Sequence, residues 1–167
     1  MFESGDKGLS PQDLAIYSHL YMMRQVNSKK NASFTSNLEI ITSTIRFKLK
    51  GKSRDKIKEI RKSILCLVAK GYVNCDISPE TKRKDLLIIS FDTILNKDKK
   101  FAKLLYSDFE QFVEVEKLNA YCFILAGEIY GRKISYTEFA NRLNISDEKM
   151  RLIIKDLNRS DSNPRIL

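Results

Sequence analysis

Apolar residues fall at two spacings along the chain, and each spacing predicts an element. Ser10-Pro11 opens a helix, with Ser as cap, Pro in the first turn and Asp13 close behind. Leu14, Tyr17, Leu20 and Tyr21 then share one face as far as about Gln25. Asn27–Ser33 is polar and reads as a loop, and a second helix is expected from about Ser36, carrying Leu38, Ile41 and Ile45. Gly51-Lys52-Ser53 breaks the pattern, with Ser53 placed to cap a third helix. In that helix Ile57, Ile60, Ile64, Leu67 and Val68 recur at helical spacing, and Gly71 ends it. Tyr72–Ile77 and Leu86–Phe91 read as strands joined by the turn SPETKRK. The predicted order is helix, helix, helix, strand, basic turn, strand.

The rest of the chain repeats this outline. NKDKK at 96–100 is a charged break, and Phe101, Leu104, Leu105, Phe109 and Phe112 make a connecting stripe. Leu118, Tyr121, Cys122, Leu125, Ala126 and Ile129 form a helical face ending at Gly131. Ser135 with Glu138 has capping-box spacing, and Ser146-Asp147-Glu148 starts a last helix carrying Met150, Ile153, Ile154 and Leu157. The division is then 1–96, a linker or connecting helix at 97–112, and a second helix-turn-helix at 113–167. The fold class is mostly α with a small β-wing (α+β).

Charge changes this picture from fold to function. The net charge is +9. Residues 1–100 hold 20 Lys/Arg against 11 Asp/Glu, and residues 101–167 hold 10 of each, so all the excess lies in the first part. Within Arg46–Lys62 nine cations face two acids, a net +7. Such a density favours a polyanion partner, nucleic acid before a membrane surface. No stretch is apolar enough to span a membrane, and Met1 is followed by FESGDKGLS, so no secretory leader is expected. Three cysteines at irregular spacing and a single histidine predict no zinc site and no disulfide framework, which suits a reducing cytoplasm. No glycine-rich phosphate loop, DxD or HxH cluster occurs, so neither catalysis nor a cofactor is expected.

The stretch ISYTEFANRLNISDEKMRLIIKDLN resembles a bacterial helix-turn-helix, with Ala140 as the small residue where two helices touch. The first part, from Leu9-Ser10-Pro11 to the Lys70-Gly71-Tyr72-Val73 exit and its hairpin, resembles the winged-helix domains of bacterial, plasmid and phage DNA-binding proteins. Replication initiators, primosomal DnaD-type N-terminal domains and winged-helix regulators are among them. The resemblance implies two winged-helix or helix-turn-helix domains in tandem that bind double-stranded DNA.

The candidate DNA-binding residues are Arg46, Lys48, Lys50, Lys52, Arg54, Lys56, Lys58, Arg61 and Lys62, with Lys82, Arg83 and Lys84 in the wing. At about 100° per residue, the isoleucine stripe of the third helix puts Lys58 and Lys62 on the opposite side. Arg54 and Arg61 flank them. Arg54 and Lys58 are best placed if the helix N-terminus enters the major groove, where Arg can pair with guanine. A solvated lysine-rich face is the plainer alternative. The last helix has an acidic first turn, unsuited to phosphates, so the second unit is expected to be the poorer DNA reader and to serve dimerisation or another protein, with DNA contact as the alternative. Tyr130, Tyr136 and Phe109 are candidates for such a surface, with core packing the plainer use of each. His19 is expected to be structural. The reading is a sequence-specific DNA-binding protein, a homodimer of the nucleoid and a transcriptional regulator first. A replication initiator or accessory protein, or a protein–protein adaptor, is the alternative.

Overall fold

The computed structural model describes residues 9–27, 33–49, 55–91, 112, 114–130 and 135–159. Among these residues there are six helices and three strands. In chain order they are α1 (Pro11–Asn27), β1 (Ser33–Ser36), α2 (Leu38–Thr44), α3 (Lys56–Ala69), β2 (Asn74–Cys75) and β3 (Leu87–Ser90). Then follow α4 (Val115–Tyr130), α5 (Tyr136–Leu143) and α6 (Asp147–Arg159). The fold is mostly helical with a small antiparallel sheet, α+β. It divides into two compact units, Gln12–Lys97 and Met1–Pro11 with Asp98–Leu167.

In Gln12–Lys97 the strand order is β1-β3-β2, both pairings antiparallel. β3 alternates. Leu87 and Ile89 are buried, while Leu86 and Ile88 remain 75% and 66% exposed. The inner pair packs with Ile16 and Leu20 of α1, Leu38 and Ile41 of α2, and Ile60, Ile64 and Leu67 of α3 in the buried core. Burying a Leu or Ile of this size stabilises by roughly 1.5–3 kcal/mol.

Two local expectations are revised here. Residues 33–36, expected as the end of a loop and the start of a helix, form β1. The segment SFTS has one large apolar residue, Phe34, and owes its extended form to pairing with β3, Ser33 opposite Ser90 and Ser36 opposite Leu87. α2 therefore starts at Leu38, capped by Asn37, whose Oδ1 accepts from Ile40 N at 2.8 Å. α3 is capped by Asp55, whose Oδ1 accepts from Ile57 N at 3.0 Å and Lys58 N at 3.3 Å. Ser53, the expected cap, lies outside the described residues. At the other end Gly71, at φ 72°, takes the left-handed position. There Gly71 N donates to Val68 O and Tyr72 N to Leu67 O, both at 2.9 Å, which satisfies the last carbonyls of α3.

In the other unit Ser135 Oγ caps α5 by accepting from Glu138 N at 3.1 Å. Asn144, left-handed at φ 52°, turns the chain into α6. Ser146 Oγ accepts from Lys149 N at 3.2 Å. Phe139, Ala140 and Leu143 of α5 are buried with Met150, Ile153, Ile154 and Leu157 of α6 and Leu118 and Tyr121 of α4. Two ion pairs tie α6 to α4, Lys149 to Glu116 at 3.1 Å and Asp156 to Lys117 at 3.0 Å.

Candidate nucleic-acid interface

The segment after α2 sorts its residues by alternation. Arg46 and Lys48 are exposed, whereas Phe47 between them is buried and Leu49 half-buried. The chain bends at Phe47, and its ring goes into the core while the cations on either side face water. The interleaved pattern RFKL was the signal for this. Phe47 sits edge-on to His19, ring centroids 6.3 Å apart. His19 Nε2 lies 3.0 Å from Thr44 Oγ1 at the end of α2, and the Thr44 hydroxyl is also 3.0 Å from the carbonyls of Ile40 and Ile41. That hydroxyl has one proton, which it can give to a helix carbonyl. The neutral imidazole then donates from Nε2. Burial pushes the His19 pKa down to about 4. The ring is thus a neutral strut holding the chain just before Arg46–Lys48.

α3 has the two faces expected of it, with adjustments. Its fully buried positions are Ile60, Ser63, Ile64 and Leu67; Ile57 and Val68 are half-buried at the margin. On the opposite side Lys58 and Lys62 are exposed, followed by half-buried Leu65 and exposed Ala69. Lys56 is exposed as well. Arg61 is half-buried, and its Nε is sealed from solvent without a hydrogen-bond partner among the described residues. The helix N-terminus is occupied by the Asp55 carboxylate. An anion cannot take the Ile57 and Lys58 amides while it remains there, so phosphate contact falls to side chains. Lys50, Lys52 and Arg54 lie outside the described residues.

Lys82, Arg83 and Lys84 are exposed on the hairpin loop, which is built from two successive turns. Thr81 N donates to Ser78 O at 3.2 Å in the first, and Asp85 N donates to Lys82 O at 3.2 Å in the second. Thr81 Oγ1 accepts from Ser78 N at 2.8 Å, and Asp85 Oδ2 accepts from Lys82 N at 2.7 Å. Glu39 N at the start of α2 donates to Arg83 O at 3.0 Å, fastening the turn to that helix. Electrostatically the loop is weaker than its lysines suggest. Asp76, Glu80 and Asp85 balance its three cations. The unbalanced positive charge belongs to Arg46–Lys62.

Other candidate chemistry does not gather into a site. Tyr17 stacks on Tyr21 at 6.3 Å and meets Tyr72 and Phe91 edge-on at 6.2 and 5.6 Å, a packing cluster. Arg24 lies over the Tyr21 ring at 5.1 Å. Cys66, Cys75 and Cys122 are free, and burial raises the pKa of each, to about 11 for Cys75 and about 12 for Cys122. Among the described residues no group of three or more His, Cys, Asp or Glu could hold a metal. None of the helices is long and apolar enough to cross a membrane, among the described residues. Compared with protein-family models, curated proteins and solved structures, the chain matches none of them.

Proposed function

We propose that the protein binds double-stranded DNA through the Gln12–Lys97 unit, used as a winged helix, with phosphate contacts supplied by Arg46–Lys62. One observation carries this reading. α3 buries Ile60, Ile64 and Leu67 while its opposite face exposes Lys58 and Lys62, inside a segment of net +7. The order of three helices and a basic hairpin supports it, as does the buried Phe47 that turns Arg46 and Lys48 outward. A role in transcriptional regulation fits first. Replication initiation, or an accessory or adaptor role there, is the second form of the same reading.

Salt titration tests it. Six or so phosphate contacts give a slope of log K against log salt of about −5. Replacing Lys58 and Lys62 by Glu should abolish duplex binding and leave the melting temperature nearly unchanged, because both side chains are exposed. No duplex binding by the wild type at about 50 mM salt, where such contacts are strong, would sink the proposal.

A further inference from the structure

The sheet of the Gln12–Lys97 unit buries one face against its helices, and the other face is apolar where water favours polar groups. On β3, the central strand, Leu87 and Ile89 point inward, so Leu86 and Ile88 share the outward face. They are the two most exposed large apolar side chains among the described residues. The outward positions of the flanking strands are polar, Thr35 on β1 opposite Ile88 and Asn74 on β2 opposite Ser90. A third aliphatic side chain lies at the same end. Ser36 pairs with Leu87, so one step further sets Asn37 beside Leu86, and Asn37 caps the turn of α2 that carries exposed Ile40. The bond from Glu39 N to Arg83 O closes the hairpin loop onto that same turn. Of the exposed large apolar residues described, Ile40, Leu86 and Ile88 thus gather where the hairpin meets α2, while Tyr136 and Leu152 belong to the other unit.

We propose that this face is the contact between two copies of the chain, related by a two-fold axis, with Ile40, Leu86 and Ile88 at its centre. The rim selects a second copy as the occupant. Exposed charges on the hairpin loop and the first turn of α2 are of both signs, Glu39, Asp76, Glu80 and Asp85 against Lys82, Arg83 and Lys84. A rim of one sign attracts a foreign partner of the other sign and repels its own copy. A mixed rim is self-complementary, because a two-fold axis lets each cation meet an acid of the mate. The rest of the unit narrows the choice further. Arg46–Lys62 carries net +7, so two copies can approach closely only where charge cancels, and the hairpin is such a place. Duplex DNA gains nothing from covering three aliphatic side chains set among four carboxylates. An apolar centre with a polar rim is the anatomy of a protein contact, which at standard size covers about 800 Å² per partner. The loop is already braced by its own turns, so little ordering opposes docking. The inference stands apart from duplex binding: it needs no DNA, and none of Arg46–Lys62 belongs to the patch.

Sedimentation equilibrium of the full chain without DNA tests this, at concentrations up to about 200 μM, where a micromolar dimer is nearly complete. The wild type should form a dimer and nothing larger, since a two-fold contact closes on itself. Leu86→Thr with Ile88→Thr keeps strand-forming side chains and should raise the dimer Kd at least about 100-fold, with the far-ultraviolet circular dichroism unchanged. Leu152→Thr, at the exposed apolar side chain of α6, should leave that Kd within about twofold. The rim is tested by reversing its signs. Lys82→Glu with Lys84→Glu, and Asp76→Lys with Glu80→Lys, should each self-associate less than the wild type, and an equimolar mixture of the two variants should pair more tightly than either alone. If the β3 variant loses its circular dichroism, the charge-reversed pair decides alone. A wild type that stays monomeric throughout, a series of larger oligomers, a dimer indifferent to the folded β3 variant, a dimer lost with Leu152→Thr, or mixing without gain overturns the assignment.

Discussion

Acidification should loosen the Gln12–Lys97 unit through one residue, His19. Its ring is buried against Phe47 and bonded to Thr44, and its pKa is driven from 6.5 to about 4 by burial. In the unfolded chain the imidazole takes a proton near pH 6.5; in the native state it resists until about 4. Between those values the unfolded state binds more protons, so native stability is full above pH 6.5 and falls as the pH drops toward 4. One group changes stability by about 1.4 kcal/mol per pH unit over that window. The loss should be about 2 kcal/mol by pH 5, and about 3 kcal/mol if the whole shift is realised. Urea unfolding of the wild type and of His19→Gln, followed by near-ultraviolet circular dichroism of the tyrosines from pH 7.5 to 5, isolates the effect. Gln can still donate to Thr44 Oγ1 but does not titrate. Carboxylates titrate alike in both proteins and cancel in the difference. The wild-type advantage at pH 7.5 should shrink steadily as the pH falls. Parallel curves across the range would refute the claim that His19 is held neutral by burial.

Other outcomes follow from single groups. Asp55→Ala should cost about 1 kcal/mol of stability, since α3 loses its cap, yet it should tighten duplex binding by removing an anion beside Lys56 and Lys58. Opposite signs in a thermal melt and a binding titration would bear this out; a parallel fall would not. Gly71→Ala meets no atom within 4 Å but must hold φ 72°, so it should lower stability by about 1 kcal/mol through backbone strain alone. Ile64→Ala, at the centre of the core, should cost roughly 2–5 kcal/mol in denaturant unfolding.

What was legible in the sequence is what local chemistry decides. The stripes of α3 and α6, the Ser135 cap and Gly71 at the end of α3 depend on neighbours within a few residues; on α1 the expected face turns, since Ile16, His19 and Met22 are buried and Tyr17 and Tyr21 only half-buried. β1 was not legible, because a four-residue strand with a single Phe is stabilised by β3, more than fifty residues away. The Asp55 cap was hidden by Ser53, an equally good capping residue two places earlier. For the candidate site, composition located the charge but not its availability. Arg61 lies a quarter-turn from Ile60, at the boundary where a side chain is either exposed or drawn in, and only packing chooses. The three hairpin cations were legible as a cluster. Their neutralising acids were equally visible in sequence, but the bond from Glu39 N to Arg83 O was not.

That bond also bears on how fast and at what thermodynamic cost the hairpin could engage a ligand. A loop whose main chain is cross-braced by its own turns and pinned to α2 need not be ordered on binding. Docking would then be a rigid-surface event at this position, without the large negative heat capacity that marks folding coupled to association. Calorimetry at several temperatures should find a modest heat-capacity change, set by the surface covered rather than by chain that becomes structured. The same bond ties the hairpin turn to the first turn of α2.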